Sequence, residues 1–165
     1  MFGIAGFKNS GKTTLASAIV TELTARGFKV STIKHAHHGF DLDQQGRDSF
    51  IHRQAGAHEV AIVSGSRWAI LHELREDEEP TFEEMLSHLS PCDIVIVEGF
   101  KREAYPKIEV RRLDLNHRAL APDDVNIVAI ACDDPLVDQS VPVFTRNDAE
   151  KITDFILEHL GMRTP

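Results

Sequence analysis

The sequence predicts a three-layer α/β domain, with a mostly parallel sheet, helices on both faces and an inserted β-hairpin. Three observations carry this. The chain opens as strand, loop, helix, strand: "MFGIA", a polar glycine-containing loop, "TTLASAIVTELTAR" (13–26) and "FKVSTIKHA" (28–36). Such a βαβ unit crosses over right-handed and lays its strands parallel. "DIVIVEGF" (93–100) holds four consecutive apolar β-branched residues, the mark of a strand buried on both faces. The length of 165 residues suits one domain spanning 1–165 and leaves too little chain for two comfortable ones.

The elements follow in order. Residues 2–5 read as a buried strand. The helix over 13–26 places Leu15, Ala18, Ile19 and Leu23 on one face, and Gly27 ends it. "GRDSFIHRQAGA" (46–57) reads as a second helix, with Asp48 and Ser49 as caps. "HEVAIVSGSRWAILHEL" (58–74) reads as a hairpin whose turn Gly65 supplies. "TFEEMLSHL" (81–89) is a helix opened by a capping box, Thr81 with Glu84. "KIEVRRL" (107–113), "NIVAIACD" (126–133) and "VPVFTR" (141–146) are further strands. "NDAEKITDFILEHLG" (147–161) is a closing helix with Asn147 as its cap. Gly3 reads as a close-packing position.

Composition excludes several classes. The formal net charge is −8, which argues against general nucleic-acid binding. The acidic run 72–84 and the basic run 100–112 read as solvated faces. No apolar run approaches the ~20 residues that span a bilayer. About five residues precede Gly6 with no charged lead, so no signal peptide is expected and the expected compartment is the cytoplasm. Cys92 and Cys132 border opposite ends of their strands, which speaks against a disulfide and suits a reducing compartment.

Function is written most clearly in "GFKNSGKTT" (6–14). Gly6 to Thr13 matches G-x-x-x-x-G-K-[ST], the phosphate-binding loop, or P-loop, and it stands where that loop must, after a strand and opening a helix. Backbone N–H groups from Gly6 through Asn9, Ser10 and Gly11 can wrap a phosphate, and the glycines allow positive φ and close approach. The helix N-terminus adds about half a positive charge. Lys12 can reach the β- and γ-phosphates, and the Thr13 hydroxyl can ligate Mg²⁺. The fold class is therefore read as a P-loop NTPase fold. The buried strand 93–97 delivers Glu98 to the carboxyl edge of the sheet, where ligands bind in open α/β folds. There it can hold Mg²⁺ or position a water. Asp93 falls at the opposite edge. "KHAHHGFDLDQQGRDS" (34–49) leaves the same ligand edge and brings Asp41 and Asp43 as further carboxylates. Its His35, His37 and His38 lack structural-zinc spacing and read as polar surface.

Together, "GFKNSGKTT", "VSTIKHAHHGFDLDQQGRDSFIHRQAGA" and "DIVIVEGFKREAYPKIEV" resemble the molybdopterin-guanine dinucleotide biosynthesis protein B family, MobB, over essentially the whole chain. The resemblance implies a cytoplasmic, GTP-binding, weakly hydrolytic homodimer that uses Mg²⁺. Such a protein assists a MobA-type molybdopterin guanylyltransferase in joining GMP to molybdopterin, so that enzyme, and molybdopterin itself, are the implied partners. It places phosphate contacts at Gly11, Lys12, Thr13 and Thr14, and metal or water contacts at Asp41 and Glu98. The chain departs from the family pattern at Gln45 and Arg47, where proline and lysine are usual. It also has Phe7 where some dimeric relatives with a deviant loop carry lysine.

Guanine specificity is weakly encoded. No N-K-x-D motif is present; Asp133 or Asp134 can accept from guanine N1 and N2, or simply form the turn before Pro135. Two alternatives compete with the accessory-protein reading. The nine histidines suggest a nucleotide-dependent metallochaperone. Arg102, Arg111 and Arg112 keep a small-molecule P-loop kinase in view. The hairpin 58–74, with Trp68 as anchor, is the expected contributor to a dimer.

Overall fold

A computed structural model describes residues 1–36, 39–40, 42–100 and 103–165. The backbone divides into two compact units, residues 1–35 with 85–165, and residues 36–84.

The first unit is built on a six-stranded sheet. In chain order its strands are β1 (Phe2–Ala5), β2 (Val30–Lys34), β5 (Ile94–Glu98), β6 (Lys107–Val110), β7 (Ile127–Ala131) and β8 (Val143–Phe144). Their spatial order is β2-β5-β1-β6-β7-β8, and every neighbouring pair is parallel. The chain leaves β1 toward one edge and later passes from β5 across β1 to β6. The carboxyl ends of β1 and β5 therefore border the crevice where open α/β sheets take ligands.

Strand side chains alternate between faces, and the two faces are covered differently. Phe2, Ile4, Ile94, Ile96, Ile108 and Val110 join one apolar cluster with two helices, α1 (Lys12–Ala25) and α4 (Ala149–His159). Leu15, Ile19 and Leu23 are the buried stripe of α1, one turn apart as the sequence pattern requires. Gly27, at φ 91°, closes α1, and the N–H of Phe28 donates to Leu23 O at 3.1 Å. The closing helix is capped by Asp148, whose carboxylate accepts from Lys151 N, and not by Asn147 as expected.

On the other face Gly3 lies under the ring of Tyr105; a Cβ there would stand 2.3 Å from a ring carbon. The Tyr105 hydroxyl donates to Gly99 O and Phe100 O at 3.2 and 3.1 Å. Beyond it the cover includes a single 3₁₀ turn, Ala121–Asp123, which packs on β7. Here the run 100–112 departs from the expected solvated face. Lys107 and Glu109 are each 1% exposed, and Arg111 is buried too. Each has partners that make burial tolerable. Lys107 Nζ lies 2.9 Å from Asp124. Glu109 accepts from Arg111 and from the N–H groups of Leu120 and Ala121, both at 3.0 Å. The alternation of a buried strand outranked the charge of its residues. The acidic run 72–84 is largely exposed, as read.

The second unit holds α2 (Asp48–Gln54) and the antiparallel hairpin of β3 (Glu59–Val63) and β4 (Trp68–His72), and α3 (Phe82–Ser87) begins in it. Neither Asp48 nor Ser49 caps α2. Arg47 occupies that place without a side-chain bond, and Ser49 instead donates to Asp43 at 2.7 Å. The hairpin turn contains Gly65, as expected, without a left-handed backbone there, and it is held by Ser64. The Ser64 hydroxyl accepts from Arg67 N at 3.2 Å, and its backbone N–H donates to Arg67 O at 2.8 Å. The capping box of α3 is formed as written, with Thr81 N to Glu84 at 2.7 Å and Glu84 N to Thr81 Oγ1 at 3.2 Å. Val60 is buried, while Val63, Trp68 and Ile70 are exposed. Among the described residues no helix is long and apolar enough to cross a membrane.

Candidate nucleotide site

The loop between β1 and α1 takes the backbone its motif requires. Gly6, Asn9 and Gly11 all have positive φ, 148°, 65° and 100°. A Cβ on Gly6 would sit 2.6 Å from Val110 O and 2.7 Å from Ser10 Oγ, so no larger residue fits this bend. Gly11 caps α1 without a side-chain bond. The first-turn N–H groups, which no helix satisfies internally, thus open onto the loop. The Ser10 hydroxyl is buried with no hydrogen-bond partner among the described residues, a polar atom left inside the cradle. Lys12 folds over the loop, its Nζ donating to Phe7 O at 2.7 Å. Thr14 follows on the exposed first turn.

Glu98, the last residue of β5, meets this loop. Thr13 Oγ1 lies 2.9 Å from Glu98 Oε1 and 3.2 Å from Oε2. Two oxygen ligands placed cis on an octahedral Mg²⁺, at ~2.0–2.1 Å each, stand about 2.9 Å apart. The pair therefore fits the metal that its chemistry suggests. Lys34, ending β2, brings its Nζ to 3.4 Å from Thr13 Oγ1 and 3.6 Å from Glu98 Oε2. Sequence reasoning missed Lys34. Its signal was position alone, the last residue of a strand ending at the ligand edge.

Asp133, just past β7, is bound to Arg146, just past β8. The backbone N–H and Nε of Arg146 both reach its carboxylate at 2.9 Å. That backbone bond, and then the guanidinium, hold the Asp133 carboxyl below the usual carboxylate range. Arg146 also donates to Ser10 O at 3.2 Å. Asp133 is thus tied through one arginine to the loop, a link no motif announced. Among the described residues Asp134 enters no such pair.

Other candidates fall elsewhere. Asp41, His37 and His38, and the Arg102 of the kinase reading, lie outside the described residues. Asp43 is held within the second unit by Ser49 and by Arg53 at 3.3 Å. Asp93 accepts from Lys29 N at the opposite edge of the sheet, as read. Arg111 pairs with Glu109 and carries local structure, while Arg112 pairs with Asp114 and also donates to Asn9 O of the loop at 3.5 Å. Phe7 stacks on His117 at 4.6 Å between ring centres.

A parallel sheet with this strand order, and a glycine-bent loop leading from its central strand into a helix, define the α/β class of the P-loop NTPases. Residues 1–133 match the family described as Molybdopterin guanine dinucleotide synthesis protein B, MobB, and the chain belongs to that family. A similar protein from Escherichia coli (strain K12), named a molybdopterin-guanine dinucleotide biosynthesis adapter protein, is 35% identical over 164 residues, covering 96% of this chain and 91% of its own. A Haemophilus influenzae protein of the same name is 36% identical over 157 residues, covering 94% and 86%. The crystal structure of a molybdopterin-guanine biosynthesis protein B superposes with a TM-score of 0.70 at 28% identity, over 96% of this chain and 98% of that one.

Proposed function

We propose that this chain is a GTP-binding accessory protein with weak GTPase activity, assisting attachment of GMP to molybdopterin. The observation that carries the nucleotide site is the meeting of Thr13 with Glu98 beside the bent loop. Gly6, Asn9, Ser10, Gly11, Lys12, Thr13 and Thr14 would hold the phosphates, and Thr13 and Glu98 would hold Mg²⁺. Asp133 reads the base edge. Mg²⁺ held by Thr13 and Glu98 would supply neutralisation of the phosphate charge. The accessory role rests on family membership and on the adapter names of the relatives. Its partners are a second copy of the chain, a molybdopterin guanylyltransferase and its pterin.

The test is titration with GTP and ATP in parallel, with and without Mg²⁺, on the parent and on Lys12→Ala. GTP binding that strengthens with Mg²⁺ and disappears in Lys12→Ala, with the circular dichroism unchanged, is the expected result. Equal affinity in the two proteins removes the loop from the reading. Equal affinity for ATP removes the guanine preference alone.

A further inference from the structure

At the base of the hairpin in the second unit, His58, His72 and Asp77 each offer one ligand atom, and these atoms all lie within 4.8 Å of one another. We propose that these three residues form a site for a borderline divalent transition metal of the zinc class, separate from the nucleotide loop.

The local fold explains why they meet. His58 directly precedes β3 and His72 ends β4, so strand pairing sets them side by side; Glu73 N donates to His58 O at 3.0 Å. Their rings stand edge to face, 4.4 Å between centres. Asp77 is brought in by the loop after β4. Arg75 turns that loop with a left-handed backbone, φ 51°. Its guanidinium then ties the loop back to Gly56 O and Ala57 O, just ahead of His58. The N–H of Asp77 closes the turn onto Leu74 O at 2.7 Å.

A second feature points to a ligand. Glu59 Oε1 lies 2.8 Å from His72 Nδ1. A carboxylate on one ring nitrogen sets the tautomer and leaves Nε2 with its lone pair outward, the arrangement that orients metal-binding histidines. Two imidazoles and one carboxylate suit zinc, and such a set leaves a fourth position open. All three side chains are exposed, so small rotations bring them to bonding distance. Mg²⁺, which favours oxygen ligands, would not compete. The bound ion would join the loop 73–77 to the start of β3.

The experiment titrates Zn²⁺ into the metal-free full chain by calorimetry and follows Co²⁺ by its visible spectrum. One ion per chain is expected, with intense tetrahedral Co²⁺ bands. His58→Ala and His72→Ala should each weaken binding at least tenfold, and Glu59→Gln, which touches only the positioning residue, by about 10–100-fold. A joint His37→Ala, His38→Ala variant should bind as the parent does. Thermal melting in chelator, unchanged across the set, verifies folding. Absence of binding at micromolar Zn²⁺, parental affinity in His58→Ala and His72→Ala, or loss of the site in the 37/38 variant each overturns the proposal. GTP titration of His58→Ala separates it from the nucleotide reading, since that affinity should not change.

Discussion

Glu98 is the residue on which the proposed chemistry turns. Strand β5 is apolar until its last position and then presents a carboxylate 2.9 Å from the Thr13 hydroxyl. Phosphoryl transfer asks little covalent work of a protein; positioning and charge stabilisation carry it. Glu98→Gln keeps the shape and removes the charge. Single-turnover GTP hydrolysis should fall at least tenfold, while GTP affinity changes by less than about threefold, because the loop N–H groups and Lys12 hold the phosphates independently. A variant that hydrolyses at the parental rate reduces Glu98 to a strand-end residue. Lys34 stands beside the same pair and will colour this result, since removing the Glu98 charge leaves the amine facing the Thr13 hydroxyl alone.

Among the elements, the ends were harder to read than the bodies. The closing helix shows why. Asn147 and Asp148 are adjacent and both are good caps, and the sequence gives no reason to choose between them. The chain settles it by where α4 begins, at Ala149, which makes Asp148 the residue whose carboxylate can accept from Lys151 N. Asp148→Ala should therefore lower the denaturant midpoint of unfolding, and Asn147→Ala should lower it much less. The reverse order would return the cap to Asn147. The hairpin turn adds a detail of the same kind: Gly65 lies in it as expected, and the Ser64 hydroxyl holds it.

Two properties belong to the molecule as a whole. Lys107 is buried on the sheet and depends on Asp124, about a quarter exposed, for its counter-charge. Burial of Asp124 works to raise its pKa, but the hydrogen bonds from Lys107 and Asn126 outweigh this and hold it below the usual range. Asp124→Asn leaves a buried ammonium without its counter-charge and should cost about 2–3 kcal/mol, less than a fully buried pair because of the partial exposure. A depressed carboxylate contributes above its unfolded pKa and loses that contribution as pH falls through the lower folded value. The gap between parent and variant should stay constant from about pH 7 to 5 and close only below about pH 4. A gap that closes near pH 6 would assign it to another group. The second property is assembly. The hairpin exposes Val63, Trp68 and Ile70, with Trp68 68% accessible. We expect a homodimer that uses this face, because exposed aromatics anchor interfaces. Light scattering at micromolar concentration should give twice the chain mass, and Trp68→Ala should shift it toward the monomer. A monomeric parent removes the dimer; an unchanged variant removes only the anchor.

The sequence by itself determined the strand–loop–helix opening, the phosphate-binding loop, the buried strand with its terminal glutamate and the hairpin. Each is local, set by spacing and side-chain type within one continuous stretch of chain. The tertiary structure alone decided what meets what. It brought Lys34 to Thr13 across 21 positions and Arg146 to Ser10 across 136. It also turned the charged strand residues Lys107 and Glu109 inward. A charge in a sequence reads as solvated until a partner for it is seen, and both of these partners, Asp124 and the 3₁₀ turn at Leu120, reach the strand only when the chain folds back over the sheet.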